Sequence, residues 1–121
     1  MKQKTDPRHL KRAQVMQELF SFEFNQKNPL SDSANKIVAK ISEIDNLIRQ
    51  SAPERPLEQI NRIDLAILRL SIFELIIKRE VPPKVIVDEA VELGKEYGSD
   101  SSGAFINGAL GRLIETEGIK T

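Results

Sequence analysis

From Leu57 to Arg79 apolar side chains fall on nearly every side of a helical wheel: Ile60, Ile63, Leu65, Ile67, Leu68, Leu70, Ile72, Phe73, Leu75, Ile76 and Ile77. A helix that is apolar all round has no face to present to water and has to be enclosed by other elements. Pro82 and Pro83 end it, because neither donates a backbone hydrogen bond, and Pro83 suits the first position of the next helix. The rest of the chain must therefore supply a jacket for one central helix.

The flanking segments have the periodicity for that task. Asp6 is placed as an N-cap with Pro7 behind it, opening a helix to about Asn25. Its buried stripe reads Leu10, Ala13, Met16 or Gln17, Phe20 and Phe24, widened by Val15, Leu19 and Phe22. Beyond Asn28-Pro29, Ser31 or Asp32 caps a second helix that carries Ala34, Ile37, Val38, Ile41, Ile44, Leu47 and Ile48, before Pro53 and Pro56 end it. Val85 to Glu96 places Val87, Ala90, Val91 and Gly94 on one side and Asp88, Glu92, Lys95 and Glu96 toward water, with Gly98 as a natural C-cap. The polar loop 99–103 offers oxygens to cap a last helix, which buries Phe105, Ile106, Ala109, Leu110, Leu113 and Ile114 and closes at Gly118. No segment alternates with a period of two. The expectation is an all-α bundle of about five helices, forming a single domain over residues 1–121.

Several chemistries are excluded or disfavoured by what the chain contains. It has no cysteine, which removes disulfides, thiolate metal sites and cysteine catalysis, and its one histidine, His9, cannot build a zinc site. Asp88 and Glu89 are adjacent on a helix and point about 100° apart, so they do not form an acid–base pair. No catalytic residue, metal or cofactor is expected. No apolar run approaches a membrane span, and no apolar stretch follows the charged N-terminus, so a cytoplasmic address is expected.

The net charge is zero, but the two ends of the chain differ in sign. Residues 1–12 hold Lys2, Lys4, Arg8, Lys11 and Arg12 against Asp6 alone, and His9 adds charge when protonated. Residues 85–117 hold two cations against seven acids. A basic arm on a neutral domain suits a polyanionic partner. Arg8, Lys11 and Arg12 on the first turns of a helix also oppose its dipole, which a bound anion would relieve. Asn107 interrupts an apolar stripe and reads as a helix-packing hydrogen bond, while Arg69 and Glu74 read as ion pairs that fix helix register or meet a partner.

Nearly half of the chain resembles the NusB family of bacterial transcription antitermination factors. The resemblance is carried by Ala66-Ile67-Leu68-Arg69, Phe73-Glu74-Leu75, Val81-Pro82, Lys84-Val85, Asp88-Glu89-Ala90-Val91-Glu92-Leu93, Lys95 and Phe105-Ile106-Asn107-Gly108-Ala109-Leu110, in the family's order and spacing. Arg8-His9-Leu10-Lys11-Arg12-Ala13 and Leu19-Phe20 are similar to its basic first helix, with Phe20 where a tyrosine is usual. The resemblance implies a non-enzymatic, all-helical RNA-binding protein. Such a protein pairs with the small-subunit ribosomal protein NusE on a single-stranded boxA element of ribosomal RNA transcripts and helps RNA polymerase resist termination.

Carried onto this sequence, Arg8, His9 and Arg12 correspond to the RNA-contacting end of the first helix, and Ser101 and Phe105 to the loop and helix start that border the RNA. Lys11 joins them on charge alone. Phe20, Asp64 and Arg69 correspond to the NusE-facing surface. The chain departs from the pattern in a shortened region 29–56, in Ala104 where a basic residue is common, in Gly111 for a common acid and in Gly94 for alanine. Glycine at position 94 costs about 1 kcal/mol of helix propensity unless a neighbour packs on its bare backbone. The alternative is a NusB-like helical interaction module, or a homodimer, without RNA recognition.

Overall fold

A computed structural model describes residues 6–121; Lys2 and Lys4 of the basic arm lie outside the described residues. Six α-helices follow one another, with no strand among the described residues: α1 Pro7–Phe24, α2 Asp32–Val38, α3 Ile41–Ser51, α4 Arg62–Ile72, α5 Pro83–Tyr97 and α6 Ser102–Thr116. A 3-10 turn, Leu57–Gln59, precedes α4, and a π-helical turn, Phe73–Lys78, continues it. The all-α class is as expected. The helix count is six rather than about five, because the segment expected to form one helix after Pro29 is two.

That division has a packing cause. Ala39 and Lys40 close a tight turn in which the Lys40 amide donates to Ile37 O at 3.0 Å. The bend lets α2 lay Ala34 and Ile37 on α1 while α3 turns Ile44 and Ile48 toward α4 and α6. No proline or glycine marks the break, so local sequence does not announce it. Ser31 caps α2 by accepting from the Ala34 amide, and its own amide donates to Glu18 of α1 at 2.5 Å.

The central helix is α4. It packs against α1, α3, α5 and α6, and every residue from Asp64 to Ile72 is buried. Asn61 begins it by accepting from the amides of Ile63 and Asp64. Arg62 then folds back to donate to the carbonyls of Leu57 and Ile60, adding a second bond to Leu57 O, which already accepts from the Ile60 amide at 3.2 Å. After Ile72 the helix widens to π geometry and stops at Arg79, whose left-handed backbone (φ 54°) is steadied by its side chain donating to Ile76 O at 2.8 Å.

The buried face of α1 keeps Ala13, Val15, Met16 and Leu19 of the expected stripe and departs from it at the two ends. His9, Ala13, Val15, Met16 and Leu19 point inward, whereas Leu10 is 53% and Phe24 65% exposed. At the first turn position 9 rather than 10 faces inward, over the acidic side chains of α5, and Leu10, about 100° further round the helix, is left in solvent. Asn107 is also exposed rather than packed between helices. The inward stripe of α6 runs through Ile106, Ala109, Leu110 and Leu113, and Asn107 lies off it.

The α5–α6 corner is held by two close approaches of backbone. A Cβ at Gly94 would stand 2.8 Å from Ile106 Cδ1, so α6 packs onto the bare backbone of this helix-interior glycine. Gly98, the residue that ends α5, is extended rather than left-handed (φ −95°); it is required for space, since a Cβ there would run into Ser102 Oγ and stand 2.7 Å from Ser102 Cβ and 2.8 Å from Gly94 O. Ser102 is fully buried and accepts from the Ser99 amide at 2.9 Å, so it pins the loop from within the first turn of α6. Gly98→Ala is expected to lower the unfolding free energy by about 1–3 kcal/mol through overpacking at this corner, measured by urea denaturation. An unchanged midpoint would show that the corner relaxes freely.

Candidate nucleic-acid interface

The N-terminal end of α1 carries the basic residues singled out by the sequence, and the structure separates them into two kinds. Arg8 and Lys11 are exposed. The Arg8 side chain is 84% exposed and leans on Asp6, the helix cap, at 3.2 Å. Asp6 also accepts from the Arg8 amide at 2.8 Å, so one carboxylate satisfies a free helical N–H and offsets the cation.

His9 and Arg12, one turn apart on the inner side, are largely enclosed. Arg12 makes a two-pronged ion pair with Glu74 of the π-helical turn, Nε to Oε2 at 2.8 Å and Nη2 to Oε1 at 2.9 Å. These side chains are only 13% and 11% exposed. His9 is 2% exposed and lies between two carboxylates of α5, with Nδ1 2.7 Å from Glu89 Oε1 and Nε2 2.5 Å from Glu96 Oε1. A neutral imidazole has one N–H and would turn a lone pair toward one of them; the imidazolium donates to both. Burial works against the charge, but the hydrogen bonds to Glu89 and Glu96 outweigh it and raise the His9 pKa. Glu96, expected to face water, is thus part of this cage, while Asp88 beside Glu89 is exposed.

Arg8, Lys11 and Arg12 line a groove between α1, α2 and the end of the α4 extension, which Lys36 and Lys78 also border. Its floor is apolar, formed by Val15, Ile37, Leu70, Phe73 and Val81, and Glu80 stands at its rim 3.9 Å from Lys78. Lys36 and Lys78 were not singled out from the sequence. They come from separate helices, and only the fold brings them beside Arg8 and Lys11.

Ser101 and Phe105 lie elsewhere, at the start of α6. Ser101 is exposed, its hydroxyl 3.3 Å from that of Ser99 and without a capping bond to the helix. Phe105 is half-buried, and the guanidinium of Arg55 sits over its ring, 4.1 Å from the centroid.

The residues expected on a partner surface also divide. Phe20 is half-buried and makes an edge-on contact with Phe24, centroids 4.9 Å apart, so an aromatic pair reaches the surface near the end of α1. Arg69 and Asp64 are 5% and 2% exposed, both inside the bundle. Arg69 clasps Asp45 of α3 through two bonds of 3.0 and 2.9 Å and donates a third, of 3.0 Å, to Glu23 of α1. It ties three helices together. Burial raises the Asp64 pKa, against a Ser102 hydrogen bond and the charge of Arg55. Its Oδ1 is buried without a hydrogen-bond partner among the described residues.

No cluster of side chains among the described residues could hold a metal ion, and no helix among them is long and apolar enough to cross a membrane. Fold and site define a helical interaction domain whose exposed cations and half-covered aromatic rings suit binding rather than chemistry. The chain belongs to the NusB family, whose model matches residues 3–115. The transcription antitermination protein NusB of Alkaliphilus oremlandii is 38% identical over 99 residues, 82% of this chain and 72% of that protein. Its counterpart in Sorangium cellulosum is 45% identical over 89 residues, 70% of this chain and 64% of that one. The crystal structure of T. maritima NusB superposes with a TM-score of 0.79 at 29% identity, covering 91% of this chain and 92% of that chain. A chain from the crystal structure of a plectonemic RNA supercoil gives the same score at 20% identity, a likeness of fold alone.

Two measurements check the energetics of these buried charges. Arg69→Ala leaves Asp45 and Glu23 facing each other's charge in a largely dry seam, and a loss of about 3 kcal/mol is expected in denaturant unfolding; a loss under about 1 kcal/mol would mean that water replaces the guanidinium. For His9 the folded pKa lies above the ordinary value of 6.5. Its stabilisation is therefore complete below that value and disappears as pH rises through the folded pKa. Urea midpoints recorded from pH 6.5 upward should decline in the parent chain and decline less in His9→Gln, and parallel profiles would exclude the His9 cage as the source.

Proposed function

We propose that this protein is an RNA-binding transcription antitermination factor that acts without catalysis, pairing with NusE on boxA-like single-stranded RNA of ribosomal RNA transcripts. It works in the cytoplasm as part of the RNA polymerase antitermination complex. The observation that carries the reading is the convergence of Arg8 and Lys11 with Lys36 and Lys78 around one groove, on a chain of the NusB family. Phosphates supply most of the affinity of such a surface, and release of counterions makes it salt-dependent.

Within this reading the basic residues have separate tasks. Arg8 and Lys11 meet phosphate directly. Arg12 and His9, engaged by Glu74, Glu89 and Glu96, fix the direction in which the end of α1 projects, and they contact RNA only at the rim of that arrangement. Ser101 and Phe105 border the bases. On the NusE side, Phe20 with Phe24 supplies the contact, while Asp64 and Arg69 act from beneath by holding α4 and α3 in place.

One observation favours a second reading, a NusB-like interaction module or homodimer that has no RNA recognition: two of the basic residues on α1 are already neutralised inside the molecule. Titration of labelled boxA-like RNA across a salt series, with and without NusE, separates the two. The expected result is a NusE-enhanced complex whose log K falls linearly with log salt, with a slope reduced by about one in Lys11→Ala. No binding in the presence of NusE would abandon RNA recognition in favour of the second reading.

A further inference from the structure

Arg55 lies on the connection between α3 and the 3-10 turn, two residues after Pro53 and directly before Pro56. Its amide donates to Ala52 O at 3.2 Å, so the chain turns there and directs the side chain across to α6. The guanidinium stops 4.1 Å from the centre of the Phe105 ring. Arg55 itself is exposed, and among the described residues no carboxylate lies within ion-pair distance of it. The adjacent Glu54 is engaged instead by Arg112 at 3.1 Å. The Arg55 charge is felt, without an ion pair, by the neighbouring Glu54 and by the buried Asp64, whose carboxyls it helps to hold in the ionised form.

This is an unusual way to leave an arginine. A guanidinium is planar, weakly hydrated and stacks on π faces, whether of aromatic side chains or of nucleobases. Here it covers the face of Phe105 that a base would need. Without a salt bridge to break, little holds it there beyond the ring itself.

We infer that Arg55 is an RNA-contacting residue that forms a sandwich with Phe105: an unpaired base enters between ring and guanidinium, and the N–H groups left free reach the neighbouring phosphate. The inference rests on the proposed role of Phe105 at the RNA. Stacking is sequence-tolerant, whereas the guanidinium edge adds a charged contact that fixes the nucleotide's phosphate. Ala104, beside Phe105, supplies no charge, and Arg55 provides from another segment the cation missing at that point of α6.

The test uses the full chain with NusE and a boxA-like RNA oligonucleotide carrying 2-aminopurine at successive adenines, read by affinity in a salt series and by fluorescence quenching on stacking. Arg55→Ala should weaken binding on the order of tenfold, lower the salt slope by about one and relieve quenching at one position. Arg55→Lys should restore the slope but not the quenching. Phe105→Leu, which keeps the apolar volume, should relieve quenching at the same position. If Phe105→Leu loses quenching while Arg55→Ala behaves as the parent chain, or binds more tightly, Arg55 is excluded and the role of Phe105 stands. If neither variant changes binding or quenching, the Phe105 reading fails, and the sandwich with it.

Discussion

The seam between α1 and α4 is closed at both ends by charge, with a dry apolar middle. Near the start of α1, Arg12 grips Glu74 with two hydrogen bonds; toward its end, Glu23 meets Arg69 and Arg62 of α4 at 3.0 and 3.4 Å. Val15, Met16 and Leu19 fill the space between. Apolar contact alone tolerates sliding by a turn, because one methyl replaces another at similar cost. Two-pronged ion pairs do not, since a shift of one turn strands a desolvated carboxylate at each end. Once α1 is in register on α4, the positions of Phe20 and Phe24, the projection of Arg8 and Lys11, and the place of His9 over α5 all follow.

The same arrangement decides which cations are left for a partner. Clustered positive charge at a helix N-terminus repels itself and the helix dipole. Glu74, Glu89 and Glu96 remove that cost for Arg12 and His9 by drawing them inward, and Asp6 offsets it for Arg8 without enclosing it. The acidic excess of residues 85–117 thereby acquires a structural purpose, because two of its members form the cage around His9. What remains exposed is a smaller but directed set, in which Arg8 and Lys11 are joined by lysines from α2 and from the extension of α4.

How much of this was legible in the sequence depended on the range of the interaction. Proline punctuation with Pro83 opening α5, the cap at Asp6, a cap at Ser31 or Asp32, and the all-round apolarity of α4 are local, and each is readable. Arg69 and Glu74 could be recognised as ion-pairing residues, though not their partners Asp45 and Arg12, which come from other helices. The middle of the α1 stripe, Ala13, Val15, Met16 and Leu19, is legible, whereas its first position is not: Leu10 is more apolar than His9, and only the paired acids of α5, some eighty residues away, make the histidine the inward side chain. The bend at Ala39-Lys40 left no composition signal, since it is set by α1 and α4 on either side. The role of Arg55 is hidden for the same reason. Its only signal was a cation held between two prolines, and its meaning depends on a ring fifty residues further on.

Gly94 in α5 and Gly98 at its end connect this frame to the second half of the proposed interface. Gly94 lets the backbone at the start of α6 approach within contact of α5, and Gly98 makes room for Ser102, which fastens the loop by accepting from Ser99. With that corner fixed, Phe105 falls on the first turn of α6 and faces the α3 connection that carries Arg55. Helix propensity lost at position 94 is therefore exchanged for the close placement of α6 on α5. The ends of α1 and α6 are each rigid by different means, one through enclosed charge and the other through absent side chains. In the proposed interface, the lysines of the groove supply charge from flexible side chains, and Phe105 and Arg55 supply a platform fixed by backbone packing.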